Sequence, residues 1–324
     1  MFGGLWGFLF FTFQLNIINF RKIFIISIIF LSMEIKKLVV LDKNDFNEKQ
    51  IKELEGLAEE VVIYKEMPKN DDEAFQRIRD ADAVLVGWSA LTKRHIASCP
   101  KLKYLGVIAS GYSWLAAEYA SRKGITVTNV PGYATKAVTS FIFNQLKKFG
   151  IKEKAKKIIG IIGLGRIGES VAKTAKEKGF GVVYWNRTPK ETEFEAVSFE
   201  NVFKKSDAVN LLVKGSEETK GIVKNEHLDM LKDGAILVNV VSPTLIEDED
   251  YLLEMTEKRG INLILDFEEK SRLEEIAKDV KNILYTNGIA WKSPESILNL
   301  HQIALENLKA YKEGKPQNTI NQNS

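Results

Sequence analysis

From Lys37 onward, short runs rich in Val, Ile and Leu alternate with amphipathic stretches, the pattern of a parallel sheet joined by crossover helices. The first series places strands at 37–42 (KLVVLD), 60–64 (EVVIY), 83–87 (AVLVG) and 104–109 (YLGVIA). Between them, NEKQIKELEGLAEE and DEAFQRIRDAD carry apolar residues at helical spacing, with Asn, Asp and Glu near their starts, where helix N-termini favour them. A second series runs through KKIIGIIG, FGVVYWN, SDAVNLLV, GAILVNV, INLILDF and NILYT, and its interleaved helices predict a doubly wound sheet. After Pro294 a helical run, ESILNLHQIALENLKAYKEG, stops at Gly314, and its Leu and Ile stripe requires a packing partner.

With 324 residues, 45% of them hydrophobic and 27% charged, the chain can bury two ordinary cores, so two domains are expected. Its 46 basic and 43 acidic residues leave a net charge of +3 and no basic stripe, which points away from nucleic acid and toward a small-molecule partner. The lone Cys99 excludes an intramolecular disulfide and fits a reducing cytoplasm, and three histidines argue against a histidine-based metal site. Residues 1–32 differ from the rest. Their apolar segments FGGLWGFLFFTF and IFIISIIFL are split by Arg21 and Lys22, so neither reaches the roughly 20 residues of a spanning helix. Met33 precedes the first strand and is expected to be the true start, with 1–32 a mis-assigned extension and a membrane anchor the alternative.

Chemistry concentrates at Gly163-Leu164-Gly165-Arg166-Ile167-Gly168, which follows an apolar strand and opens a helix. In that context Gly163 takes the tight turn, Gly165 lets a pyrophosphate approach the backbone, and Gly168 lets helix and sheet pack closely. The alternative is a glycine-rich turn with no ligand. At the tip of the next strand stands Asn186-Arg187-Thr188, with no carboxylate to accept from the ribose hydroxyls of NAD. Arg187 can pair with a 2′-phosphate while Asn186 and Thr188 donate, so NADP is slightly favoured over NAD; the bland alternative is a solvated arginine.

The ordered segments LKYLGVIASGYSWLAAEYASRKGITVTNVPGY, GIIGLGRIGESVAKTAKEKG, SDAVNLLVKGSEETKGIV, LKDGAILVNV, LILDF and NLKAYKEGKPQNTIN resemble the D-isomer-specific 2-hydroxyacid dehydrogenases. The resemblance spans nearly all of Met33–Asn321. It implies a Rossmann-type nucleotide-binding domain, residues 134–292, inserted in a discontinuous flavodoxin-like substrate domain formed by 33–133 and 293–324. It also implies cofactor contacts from Leu164, Arg166 and Ile167 in the turn, from Val213, Lys214 and Val240 after later strands, and from Asp266. Ser110, Gly111 and Tyr112 fall in the substrate loop, where the Gly111 amide could face a carboxylate or simply form a turn.

Enzymes of this family reduce 2-keto acids with an arginine that holds the carboxylate, a histidine that supplies the proton, and a glutamate that tunes the histidine. Those positions fall on Ser242, Gly288 and Ser271 here, so all three are replaced. Glu268 or Glu269 could stand in for the glutamate and Lys292 for the proton donor, although solvated surface charges are the plainer reading. His95, His227 and His301 lie in helical runs away from the motifs and read as helix-surface or packing residues. The interdomain segment AVTSFIFNQLKKFGIKEKAKK is short and carries Ser140-Phe141 where the family has an acid and a histidine, which puts the usual homodimer in question. Two functions remain open: an NAD(P)-dependent oxidoreductase acting on the CH–OH group of 2-hydroxy acids, and a catalytically inactive dinucleotide-binding regulatory protein.

Overall fold

A computed structural model describes residues 33–153, 156–268 and 271–320, so the expectations for residues 1–32 and for Glu269 lie outside the described residues. The chain divides into two compact units, Met1–Pro131 with Leu300–Ser324, and Gly132–Asn299.

The first unit holds strands β1 (Lys37–Val40), β2 (Glu60–Ile63), β3 (Ala83–Val86), β4 (Tyr104–Val107) and β5 (Thr126–Thr128). Their order is β2-β1-β3-β4-β5 and every pairing is parallel, the flavodoxin-like arrangement. Strand β5 has three residues, too few for its alternation to stand out in the sequence. The strands also end earlier than their apolar runs. Asp42, fully buried, leaves β1 to accept from the amides of Gly87 and Trp88 at 2.9 Å and of Ser89 at 2.7 Å, which fixes the turn after β3.

The C-terminal part of the helix Pro294–Lys312 belongs to this unit, and its stripe buries Leu300, Ala304, Leu305, Leu308 and Tyr311. The Tyr311 ring lies 4.8 Å from that of Tyr104, Asn307 donates to the Asn129 carbonyl at 2.8 Å, and Lys309 meets Glu53 at 2.5 Å. That is the partner which the apolar stripe required.

The second unit holds β6 (Ile158–Ile162), β7 (Gly181–Trp185), β8 (Glu195–Ala196), β9 (Ala208–Leu211), β10 (Ile236–Asn239), β11 (Asn262–Asp266) and β12 (Ile283–Thr286). Their order, β12-β11-β10-β9-β6-β7-β8, is that of a doubly wound Rossmann sheet whose strand order reverses between β6 and β9. The six strands read from the sequence are joined by the two-residue β8, which carries no apolar run to announce it. Both faces are covered: Ile159, Ile161, Val171 and Ala172 pack on one side, and Ile162, Val202, Phe203 and Leu211 on the other. Parallel strands put all their carboxyl ends on one edge, and in open sheets of this kind that edge is where ligands bind.

Candidate functional site

At that edge, β6 ends and Gly163 turns the chain with φ of 99°, a conformation that L side chains rarely adopt. Space forbids a side chain as well: a Cβ there would stand 2.8 Å from the Val213 nitrogen. A Cβ on Gly168 would lie 2.2 Å from the Gly163 carbonyl oxygen, so the helix Arg166–Glu177 can seat against the turn only through glycine. Gly165 is different. Its backbone is extended and a Cβ there would meet nothing within 4 Å, so its bare backbone faces open space. Among the described residues no side chain caps the helix that follows, so its first-turn amides and positive dipole end suit an anion. The cradle therefore fits a dinucleotide pyrophosphate, with Leu164, Arg166 and Ile167 flanking the same turn.

The tip of β7 departs from its expected role. Asn186 does not reserve its amide for a ribose: its Oδ1 accepts from the Leu164 N–H at 3.1 Å and its Nδ2 donates to the Thr188 carbonyl at 2.6 Å. It braces the cradle from below. Arg187 is also engaged, because its guanidinium lies 2.6 Å from Glu218, with both side chains more than 70% exposed. The expectation of a carboxylate-free strand tip is thus corrected: the acid arrives from a loop 31 residues downstream. Val213 closes against Gly163, Lys214 is exposed with its carbonyl accepting from Thr219, and Val240 is half-buried just past β10.

Asp266 ends β11 with its carboxylate buried, accepting from Thr286 Oγ1 at 2.6 Å and from the amides of Ile289 and Ala290 at 2.8 Å. Expected as a cofactor contact, it is first of all the clamp that shapes the turn after β12.

The three positions to which the family resemblance assigns the chemistry each have a local role. Ser242 is buried; its Oγ accepts from the Thr244 amide at 3.3 Å and lies 2.9 Å from the Thr244 hydroxyl, which caps the short 3-10 turn Pro243–Leu245. Ser271 donates to Glu249 at 2.9 Å and accepts from the Leu273 amide at 3.1 Å. Gly288 has φ of 59°, and a Cβ there would collide with Glu268 Cγ at 2.4 Å. Glu268 has thus moved into the volume that a side chain at position 288 would claim. Its Oε1 lies 3.9 Å from the Lys292 ammonium, which sits 5.3 Å above the Trp291 ring. Tyr133 packs edge-on to Trp291 with centroids 6.0 Å apart, and burial together with the Glu268 charge pushes its phenol up to about 12.

The histidines are buried rather than helix-surface groups, and each ring accepts a backbone amide. His95 Nδ1 takes Thr92 at 3.1 Å, His227 Nδ1 takes Lys224 at 3.0 Å, and His301 Nε2 takes Asp45 at 3.2 Å. In the first unit, Ser110 donates its hydroxyl to the Val130 carbonyl at 2.8 Å, Gly111 is exposed, and Tyr112 packs against the core beneath. A cavity of about 710 Å³ in the second unit lies beside Ser140, Phe143, Ser170 and Phe180, and no cradle residue lines it. Among the described residues there is no metal-binding group of His, Cys, Asp and Glu, and no helix long and apolar enough to cross a membrane.

An open α/β sheet with a glycine cradle at its switch point defines a dinucleotide-binding protein. The sequence profile of the D-isomer specific 2-hydroxyacid dehydrogenase NAD binding domain matches residues 127–290, half of the chain, and the protein belongs to that family. A hydroxypyruvate reductase of Blautia hydrogenotrophica is 29% identical over 320 residues, covering 88% of this chain and 99% of its own. A glyoxylate reductase of Thermococcus litoralis is 29% identical over 286 residues, covering 76% of this chain and 86% of its own. Among solved structures, an acyclic imino acid reductase in complex with NADPH and D-Arg superposes with a TM-score of 0.75 at 24% identity, covering 88% of this chain and all of the other.

Proposed function

We propose that the protein is a nicotinamide-dinucleotide-dependent reductase of a small 2-oxo acid, acting in reverse on the CH–OH group of the corresponding 2-hydroxy acid. The observation that carries this reading is the cradle, in which two glycines are sterically obligatory and the third stays open where a pyrophosphate would need the space. Reductase relatives that align over almost their whole length support the substrate class.

The dinucleotide, when bound, supplies a hydride with its electron pair to the substrate carbonyl carbon. The chain's own part is to hold and aim. Gly165 and the amides opening the helix Arg166–Glu177 receive the pyrophosphate, Asn186 keeps the turn in shape, and Asp266 fixes the backbone at Ile289 and Ala290 on the same sheet edge. Arg187 favours the 2′-phosphate of NADP, but Glu218 competes for the guanidinium, so the preference over NAD is modest.

The second reading, a dinucleotide-binding regulatory protein without turnover, draws on Ser242 and Ser271, whose hydroxyls serve turns rather than a substrate. Fluorescence titration with NADPH and NADH, followed by cofactor oxidation with pyruvate, glyoxylate and hydroxypyruvate, separates the two. The reductase reading expects binding and measurable oxidation with at least one acid; binding without oxidation of any of them selects the regulatory reading.

A further inference from the structure

Reduction of a carbonyl needs a proton at oxygen as hydride reaches carbon. At Gly288, the position that the family resemblance assigns to the proton donor, there is no side chain. What stands there is the Glu268 side chain, whose Cγ lies 2.4 Å from where a Cβ would be. Beside it, at 3.9 Å, is the Lys292 ammonium, the cationic partner of that carboxylate.

The backbone under Lys292 is held from both sides. Asp266 grips the amides of Ile289 and Ala290 at 2.8 Å, the Lys292 N–H returns to the Ile289 carbonyl at 2.9 Å, and Ser296 Oγ donates to the Trp291 carbonyl. Trp291 supports the ammonium from one face, while the lysine side chain keeps 44% of its surface exposed. A cation on a fixed turn, aimed by a carboxylate and still accessible, stands at the carboxyl-end edge of the sheet that holds the dinucleotide cradle.

We propose that Lys292, oriented by Glu268, is the proton donor that replaces the absent histidine in reduction of the 2-oxo acid, an inference that rests on the reductase reading. As hydride adds to the carbonyl carbon, the carbonyl π pair moves to oxygen. That oxygen takes a proton from Lys292 Nζ, so one N–H bond breaks and one O–H bond forms. The neutral amine then recovers its proton from water. Glu268 is a positioning residue, holding the ammonium by charge and filling the space above Gly288. Among the described residues, Tyr133 is a further titratable group on which the Glu268 charge acts, and its raised phenol keeps its own proton through the neutral range.

The test is single-turnover NADPH oxidation by glyoxylate in wild type, Lys292→Met, Glu268→Gln and Tyr133→Phe, with affinities for NADPH and for oxamate measured by calorimetry on the same proteins. Lys292→Met should slow hydride transfer by about 10²–10⁴-fold while both affinities stay within about 3-fold, and added methylamine should restore part of the rate. Glu268→Gln should slow the same step less while leaving the NADPH and oxamate affinities within about 3-fold of wild type, because the ammonium stays on its turn but the carboxylate that aims it is gone. An unimpaired Lys292→Met overturns the proposal. So does a loss of oxamate affinity that accounts for the whole rate defect, which would make Lys292 a carboxylate anchor, or a Tyr133→Phe variant slower than Lys292→Met. A wild type that binds NADPH but transfers no hydride overturns the reductase reading and this proposal together, whereas normal wild-type transfer with an unaffected Lys292→Met removes this proposal alone.

Discussion

The two ends of one sheet edge in the second unit have been held to different standards. At β6 the cradle retains every glycine that sterics demand, with 2.8 Å and 2.2 Å approaches at Gly163 and Gly168 that leave no room for substitution. At β10 to β12 the positions that the family resemblance assigns to chemistry hold Ser242, Ser271 and Gly288; the serine hydroxyls serve local turns, and the open space at Gly288 is filled by Glu268. Binding a pyrophosphate is a backbone task that few geometries satisfy, whereas a proton can be delivered by any suitably placed acid. If Lys292 supplies the proton as proposed, cofactor and proton are separable requirements in this fold.

The largest expected effect sharpens the cradle side. Gly163→Val should abolish NADPH binding and cost about 1–3 kcal/mol or more of stability through strain alone, read by titration and thermal melting. Gly165→Ala is its counterpart, since a Cβ there meets no protein atom: its melting temperature should match wild type while NADPH affinity falls at least about 10-fold. If both variants bind normally, the cradle does not hold the cofactor.

Next comes repair of the vacated end. Gly288→His alone should gain no activity, because its Cβ meets Glu268 Cγ at 2.4 Å and its backbone stays left-handed. Adding Glu268→Ala to that variant clears the space, and the double variant should reduce glyoxylate about 10-fold faster than the single one. Equal rates would mean that Glu268 does not govern the position.

A smaller effect concerns cofactor choice. Freeing Arg187 by Glu218→Ala should raise the NADPH-over-NADH affinity ratio by about 3–5-fold, in line with the roughly 0.2–1 kcal/mol of an exposed ion pair. Arg187→Ala should erase the ratio, and a ratio insensitive to both changes would place the 2′-phosphate elsewhere.

The smallest effect tests whether a remaining histidine does chemistry. Burial lowers His227 below its ordinary value, so the unfolded chain takes up the proton first as pH falls. Its contribution to stability is therefore full above about pH 6.5 and is lost as pH falls from there through the lower folded-state value. His227→Gln should flatten the fall in melting temperature between about pH 7.5 and 5.5 and leave the pH profile of turnover unchanged; an altered turnover profile would implicate this ring in the reaction.

How far the sequence could be read follows from the same contrast. The cradle was legible because its three glycines, the strand before and the helix after form one local unit. The doubly wound order followed from alternating patterns, while β5 and β8 were too short to carry a period. Asn186 and Arg187 were found but their partners were not, since Leu164 lies 22 residues before one and Glu218 31 residues after the other. The replaced chemistry was visible only through the family resemblance. Glu268 and Lys292 were noticed as separate surface charges, and their meeting beside Gly288 depends on two strands ending side by side with β11 paired to β12. For the histidines the choice between helix surface and packing depends on tertiary contacts: all three are buried, and each ring nitrogen accepts a backbone amide.

On the reading proposed above, the cradle serves hydride transfer although Gly288 stands where the family resemblance expects the proton donor. The most direct test of that reading is stopped-flow fluorescence of wild-type protein saturated with NADPH and mixed with excess glyoxylate or hydroxypyruvate. A single exponential loss of bound-NADPH fluorescence, stoichiometric with protein, is expected for at least one acid; bound NADPH that persists with both would show that the protein binds the dinucleotide without transferring hydride.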